Sequence, residues 1–127
     1  MRLFVVRHAE AAPGDPDELR PLSVVGQDAA RVLAERLADE KIDVILTSPL
    51  LRARQTAEAI ARTSRAPVEV DERLAPGATA AGTKEAVRGR GETVVTVGHQ
   101  PDCSEILLEL TGREERFAPA GFAEVEL

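Results

Sequence analysis

The chain has 127 residues, 43% hydrophobic and 30% charged, the composition of a globular domain that can build a core without staples. A net charge of −6 and an aromatic content limited to 3 phenylalanines exclude a nucleic-acid binder that works through a basic face or through base stacking. The single cysteine, Cys103, excludes an intrachain disulfide and a multi-thiolate metal site, and no apolar run approaches the roughly 18 residues of a membrane span.

Leu3-Phe4-Val5-Val6 is a buried strand that runs directly into Arg7-His8, so both side chains are delivered at a strand's carboxyl end. Ala11 to Asp17 is a loop by its proline, glycine and aspartate content. Ser23 is an amino-terminal cap for a helix from Val24 to Lys41, with Ala29, Leu33 and Leu37 on its apolar face. Val44-Ile45-Leu46-Thr47 is a continuous apolar strand of the kind covered on both sides. Ser48-Pro49 opens a helix reaching about Thr63 that buries Ala53, Ala57, Ile60 and Ala61, with Ser48 as cap and Arg52 in the first turn. Pro67 to Val70 is an edge strand, and Leu74 to Gly82 a loop followed by a helical turn or two from Thr83 to Arg88. Thr93 to Val97 is a second β-branched strand, ending in Gly98-His99. Asp102 and Glu105 form a capping box for the next helix, which stops at Thr111-Gly112. Ala123 to Leu127 alternates as an edge strand. Strands alternating with helices give one three-layer α/β/α domain spanning residues 1–127 with a mostly parallel sheet.

His8 and His99, the 2 histidines of the chain, both end apolar strands. In an open parallel sheet such ends share the edge where ligands bind, so the two rings are expected to face one pocket. Arg52 lies at the start of the helix that follows the strand Val44 to Thr47. Two imidazoles, the guanidiniums of Arg7 and Arg52, and helix amino-terminal amides together describe a site for a tetrahedral dianion. Arg54, two residues on from Arg52, is expected to face solvent.

Arg7-His8 after an amino-terminal strand, Thr47-Ser48-Pro49-Leu50-Leu51-Arg52-Ala53 with Thr56-Ala57 behind it, and Val97-Gly98-His99 resemble the histidine phosphatase superfamily, the phosphoglycerate mutase-like fold. The short chain, with Arg20-Pro21-Leu22-Ser23 and Gly98-His99-Gln100-Pro101, most resembles its SixA-type phosphohistidine phosphatases. The resemblance implies that His8 is the nucleophile of a transient phosphohistidine, that Arg7 and Arg52 hold the phosphoryl oxygens, that His99 contacts another oxygen, and that Arg20 is a substrate-side arginine. The glutamate by which mutase-like members protonate an alkoxide leaving group is missing, because the corresponding segment reads Leu74-Ala75-Pro76-Gly77. Glu10 and Glu72 are the candidate substitutes, although each also reads as a surface carboxylate. A leaving imidazole needs much less protonation than an alkoxide, so the missing acid favours phosphohistidine over an alkyl ester.

The expected activity is therefore that of a metal-independent hydrolase needing no cofactor, acting in the cytoplasm on a phosphohistidine-bearing protein, with neither nucleic acid nor membrane as partner. Two histidines are too few for a three-histidine zinc site, and the adjacent arginines repel a cation. The alternatives are a small phosphomonoesterase of broad specificity and a phosphate-binding module of the same fold without turnover. A receiver-type signalling domain is disfavoured, since no pair of acids follows the first strand. Cys103 reads as a small buried residue.

Overall fold

A computed structural model describes residues 1–127. In chain order the elements are β1 (Arg2–Arg7), α1 (Val24–Arg36), β2 (Val44–Thr47), α2 (Leu51–Ser64), β3 (Val68–Val70), α3 (Ala80–Val87), β4 (Thr93–Gly98), α4 (Asp102–Thr111) and β5 (Phe122–Glu126), with single-turn 3₁₀ helices at Asp17–Leu19 and Glu72–Leu74. The strands form one 5-stranded sheet in the order β3-β2-β4-β1-β5, in which β5 alone runs antiparallel.

The sheet is covered on both sides, which is why β1, β2 and β4 read as unbroken apolar runs. Successive strand residues point to opposite faces. Leu3 and Val5 therefore pack with Leu46, Val87, Ile106 and Leu107 under α3 and α4. Phe4 and Val6 pack with Leu33, Ile45, Ala57 and Ile60 under α1 and α2. The result is a three-layer α/β/α sandwich around a mostly parallel sheet. No helix is long and apolar enough to cross a membrane.

Several element ends differ from the sequence expectation. The first helix stops at Arg36 rather than Lys41, and its buried face carries Ala30, Leu33 and Ala34 while Ala29 is half-buried. Leu37 caps it from outside, and residues 37–40 form turns that return the chain to β2. The second helix begins at Leu51, so Pro49 lies outside it and Ser48 is not its cap; Ala61 is half-buried. The helix expected from Thr83 starts at Ala80, with Thr79 Oγ1 accepting from the Gly82 amide as its cap. Asp102 is not a cap either. It is the first residue of α4, and its carboxylate accepts from the amides of Gly77 and Ala78 at 2.9 and 3.3 Å, tying the loop before α3 to α4. The Ser23 cap and the Gly112 stop are as expected.

One glycine bears directly on the site. A Cβ on Gly26 of α1 would come within 2.0 Å of the Glu10 carbonyl oxygen, a backbone atom two residues beyond His8. Gly26→Ala is therefore expected to lower stability by about 3 kcal/mol or more through overpacking that no side chain can relieve. Urea denaturation checks this, and an unchanged midpoint would contradict it.

Candidate active site

Sheet register brings the two histidines together. The β1–β4 ladder ends with Arg7 opposite Gly98, and one residue further along each strand are His8 and His99. Hydrogen bonding continues past the ladder. The His8 amide donates to Gly98 O at 3.0 Å, and His8 O accepts from the Ala120 amide at 3.2 Å. On the other strand, His99 O accepts from the Cys103 amide at 2.9 Å as α4 begins. With both backbones fixed, the ring centroids lie 5.2 Å apart at an interplanar angle of 58°.

The tautomer of His8 follows from its partner. Nδ1 lies 2.6 Å from Ala9 O, a carbonyl that can only accept, so Nδ1 carries the proton and Nε2 keeps its lone pair. Burial lowers the ring's pKa, the Ala9 hydrogen bond opposes this, and the positive charges of Arg52, Arg7 and Arg20 lower it again. His8 is thus neutral at neutral pH. The next residue is also anchored, because the Ala9 amide donates to Thr56 Oγ1 at 3.0 Å, and that hydroxyl donates to Arg52 O at 2.9 Å. Fully buried Thr56 joins the segment carrying His8 to the helix carrying Arg52.

His99 is 4% exposed, with its Nε2 2.7 Å from Ser48 Oγ. Burial is the main cause that lowers its pKa, to about 4, with His8, when protonated, and the charge of Arg52 adding to it and Asp17 opposing. The ring is therefore neutral. Ser48 Oγ also accepts from the Leu50 amide at 3.2 Å. If the serine hydroxyl donates to Nε2, every one of these polar groups is satisfied, and the His99 proton resides on Nδ1. A dianion beside this ring would raise its pKa toward the protonated form.

The charges of three arginines reach His8, and that of Arg52 reaches His99 as well. Arg7 donates through Nη1 to Phe117 O at 2.8 Å, while its Nε is buried with no hydrogen-bond partner. Arg52, 8% exposed, donates through Nη1 to Asp17 O at 2.9 Å and through Nη2 to Asp17 Oδ2 at 3.2 Å. Arg20 donates through Nε to Ala12 O at 2.9 Å and through Nη1 to Asp17 Oδ1 at 3.0 Å. The Arg20 hydrogen bond, followed by that of Arg52, holds the Asp17 carboxyl below the usual carboxylate range.

The structure thus brings together His8, His99, Arg7, Arg52 and Arg20. Glu10 and Glu72 are both exposed, and neither carboxylate bonds to a histidine or to these arginines; Glu72 lines a surface groove with Arg73 and Gly77. Arg54 differs from expectation, being half-buried with an unpartnered Nε, for which nothing in the structure supplies a reason. Cys103 is buried with its thiol pushed up to about 12, an unreactive core residue. Beside Arg7 opens a groove of about 710 Å³ bordered by Gln100, Glu105, Leu108 and Phe117. Sequence reading missed Ser48 as the partner of His99 and Asp17 as the partner of two arginines. Composition marked Asp17 only as loop, and the serine before a proline looked like a helix cap.

Comparison with known proteins agrees with this geometry. Residues 3–76 match the model of the histidine phosphatase superfamily, branch 1. An uncharacterized protein of Picosynechococcus is 39% identical over 115 residues, covering 83% of this chain and 70% of its own length. The phosphohistidine phosphatase SixA of Escherichia coli is 30% identical over 138 residues, covering 100% of this chain and 86% of its own. A solved structure of the protein histidine phosphatase SixA complexed with tungstate superposes with a TM-score of 0.89 at 30% identity, covering 100% of this chain and 88% of that one. The chain belongs to the histidine phosphatase superfamily and is a phosphatase of the hydrolase class.

Proposed function

We propose that residues 1–127 act as one phosphatase domain that hydrolyses phosphohistidine on a protein through a covalent intermediate on His8. The observation that carries this reading is the His8 ring itself. Its Nδ1–H is committed to Ala9 O, its Nε2 lone pair is free, and three guanidiniums lie close enough to depress its pKa. A neutral imidazole nitrogen beside a cluster of cations is a nucleophile placed where a phosphoryl dianion collects.

In this reading Nε2 of His8 attacks phosphorus in line, and the bond to the leaving nitrogen breaks as the new P–N bond forms. Arg7 and Arg52 hold the non-bridging oxygens through a loose transition state, with Arg20 on the substrate side and His99 donating to another oxygen. Water then hydrolyses the phosphohistidine and regenerates His8. With the other ring nitrogen of the substrate protonated from solvent, the leaving group departs as neutral imidazole, a mild base with a conjugate-acid pKa of about 6.5, so the enzyme need supply little general-acid help at the leaving nitrogen. The carboxylate in contact with the site arginines, Asp17, is held ionised and is a poor proton donor. That combination favours a phosphoramidate over an alkyl ester. The similarity to SixA, named a phosphohistidine phosphatase, supports the same substrate class.

Turnover of a phosphohistidine peptide, p-nitrophenyl phosphate and glycerol phosphate tests the reading. The peptide and the activated aryl ester are expected to be hydrolysed with kcat/KM at least about 100-fold above the alkyl ester, the scale of a missing general acid. Equal rates for the alkyl ester would overturn the preference and leave a broad phosphomonoesterase.

A further inference from the structure

Asp17 lies in a loop, on the single-turn 3₁₀ helix between β1 and α1, and its side chain is 61% exposed. Even so it accepts three hydrogen bonds from two arginines of the candidate anion site. Its backbone carbonyl and Oδ2 take Nη1 and Nη2 of Arg52, while Oδ1 takes Nη1 of Arg20. Arg52 stands at the start of α2 and Arg20 in the loop before α1, so they share no secondary-structure element. One carboxylate bridges them. A guanidinium has five N–H groups, and the contacts found here use two on each arginine, which leaves three on each for another acceptor.

We propose that Asp17 is the positioning residue of the anion site, holding Arg52 and Arg20 as a single two-armed clamp whose remaining N–H groups receive the phosphoryl oxygens. The inference rests on the reading of Arg52 and Arg20 as phosphoryl ligands. Arginine recognises oxyanions through a planar fork, and a fork is useful only when its plane is fixed. Arg52 gains that from two contacts to one residue, and Arg20 from Asp17 and Ala12 O together. The bridging negative charge also offsets the repulsion between two neighbouring guanidiniums.

Charge alone makes the opposite prediction. A carboxylate touching both arginines repels an incoming dianion, so a purely electrostatic view has anion binding tighten when Asp17 is neutralised. Positioning has it weaken. The sign of the change separates the two.

Orthovanadate inhibition of p-nitrophenyl phosphate hydrolysis is measured for the wild type, Asp17→Asn, Asp17→Ala, Asp17→Glu, Arg52→Ala and the double variant Asp17→Asn/Arg52→Ala. In Asp17→Asn the inhibition constant and KM are expected to rise about 10-fold, with kcat changing less, the scale of a lost charge-assisted hydrogen bond. Asp17→Glu is expected to recover part of the loss. In the Arg52→Ala background the same Asp17→Asn change is expected to do less than in the wild type, because the Arg52 arm of the clamp is gone and only the Arg20 arm remains to be disturbed. The His99 pKa, followed by NMR, is expected to fall further in Asp17→Asn, since Asp17 raises it in the wild type. Vanadate bound as tightly or more tightly by Asp17→Asn overturns the proposal, as does an Asp17→Asn effect undiminished in the Arg52→Ala background. If Arg52→Ala alone leaves vanadate inhibition unchanged, the phosphoryl-site reading itself fails. If Asp17→Ala does not fold, Asp17→Asn and Asp17→Glu carry the test.

Discussion

His8→Ala is expected to lower turnover of both phosphohistidine and p-nitrophenyl phosphate by about 10⁴-fold or more, because the proposed mechanism gives the attack on phosphorus to this ring alone. The fold is expected to survive. The bonds that fix this position, from the His8 amide to Gly98 O and from the Ala120 amide to His8 O, are backbone bonds that alanine keeps. The ring's single hydrogen bond is to Ala9 O, the adjacent residue, so its loss releases no distant element. Thermal melting and the rate assay together make the check. A variant that melts like the wild type and retains activity within 10-fold would remove His8 from the nucleophile's role. In the proposed mechanism protonation of Nε2 would end catalysis, because the lone pair that attacks phosphorus would be lost. Because the ring's pKa is lowered, the acid limb of kcat/KM is expected below the ordinary histidine value of 6.5, with activity held as the pH falls through 6.5 and lost only beneath it.

Arg52→Ala is expected to reduce kcat/KM by about 10² to 10³, the range seen when a donor to a developing oxyanion is removed. The loss is expected in kcat as well as in KM, since the proposed mechanism has this guanidinium hold charge that redistributes in the transition state. Stability is expected to change little by comparison. The partner left behind is Asp17, whose side chain is 61% exposed and free to be hydrated, so no buried carboxylate is stranded. Arg52→Lys is expected to recover only part of the activity, because one ammonium cannot reproduce a planar fork that reaches two oxygens while bonded to Asp17 through two nitrogens. Steady-state kinetics of the two variants check this, and an Arg52→Ala enzyme with wild-type kcat would contradict it.

The strands and the pairing of the histidines were legible because they depend on local pattern. Apolar β-branched runs such as Thr93 to Val97 have one good solution in a covered parallel sheet, and the register of β1 on β4 then leaves His8 and His99 side by side. The polar residues at element ends were less legible. Ser48, Asp102 and Asp17 all have side chains that can satisfy nearby amides, and sequence shows only that local option. In the fold each found a distant partner. Ser48 meets His99 51 residues away, Asp102 meets Gly77 25 residues away, and Asp17 meets Arg52 35 residues away. The end of α1 was misread for a related reason. Leu37 continues the apolar spacing, and Ala38 to Lys41 carries neither glycine nor proline to mark where the turn back to β2 begins. Thr56 illustrates the middle case. Its place in the sequence pattern was visible, but its work of joining the Ala9 amide to the Arg52 carbonyl needed coordinates.

The most direct measurement is chemical trapping of the intermediate. Enzyme turning over p-nitrophenyl [³²P]phosphate is quenched in alkali, which preserves phosphohistidine, and the labelled peptide is identified by mass spectrometry. Label on His8, labile to acid and missing from the His8→Ala variant, is the predicted result. Label carried by His99 or by a carboxylate such as Asp17, or its absence from an enzyme caught in rapid turnover, would contradict the account.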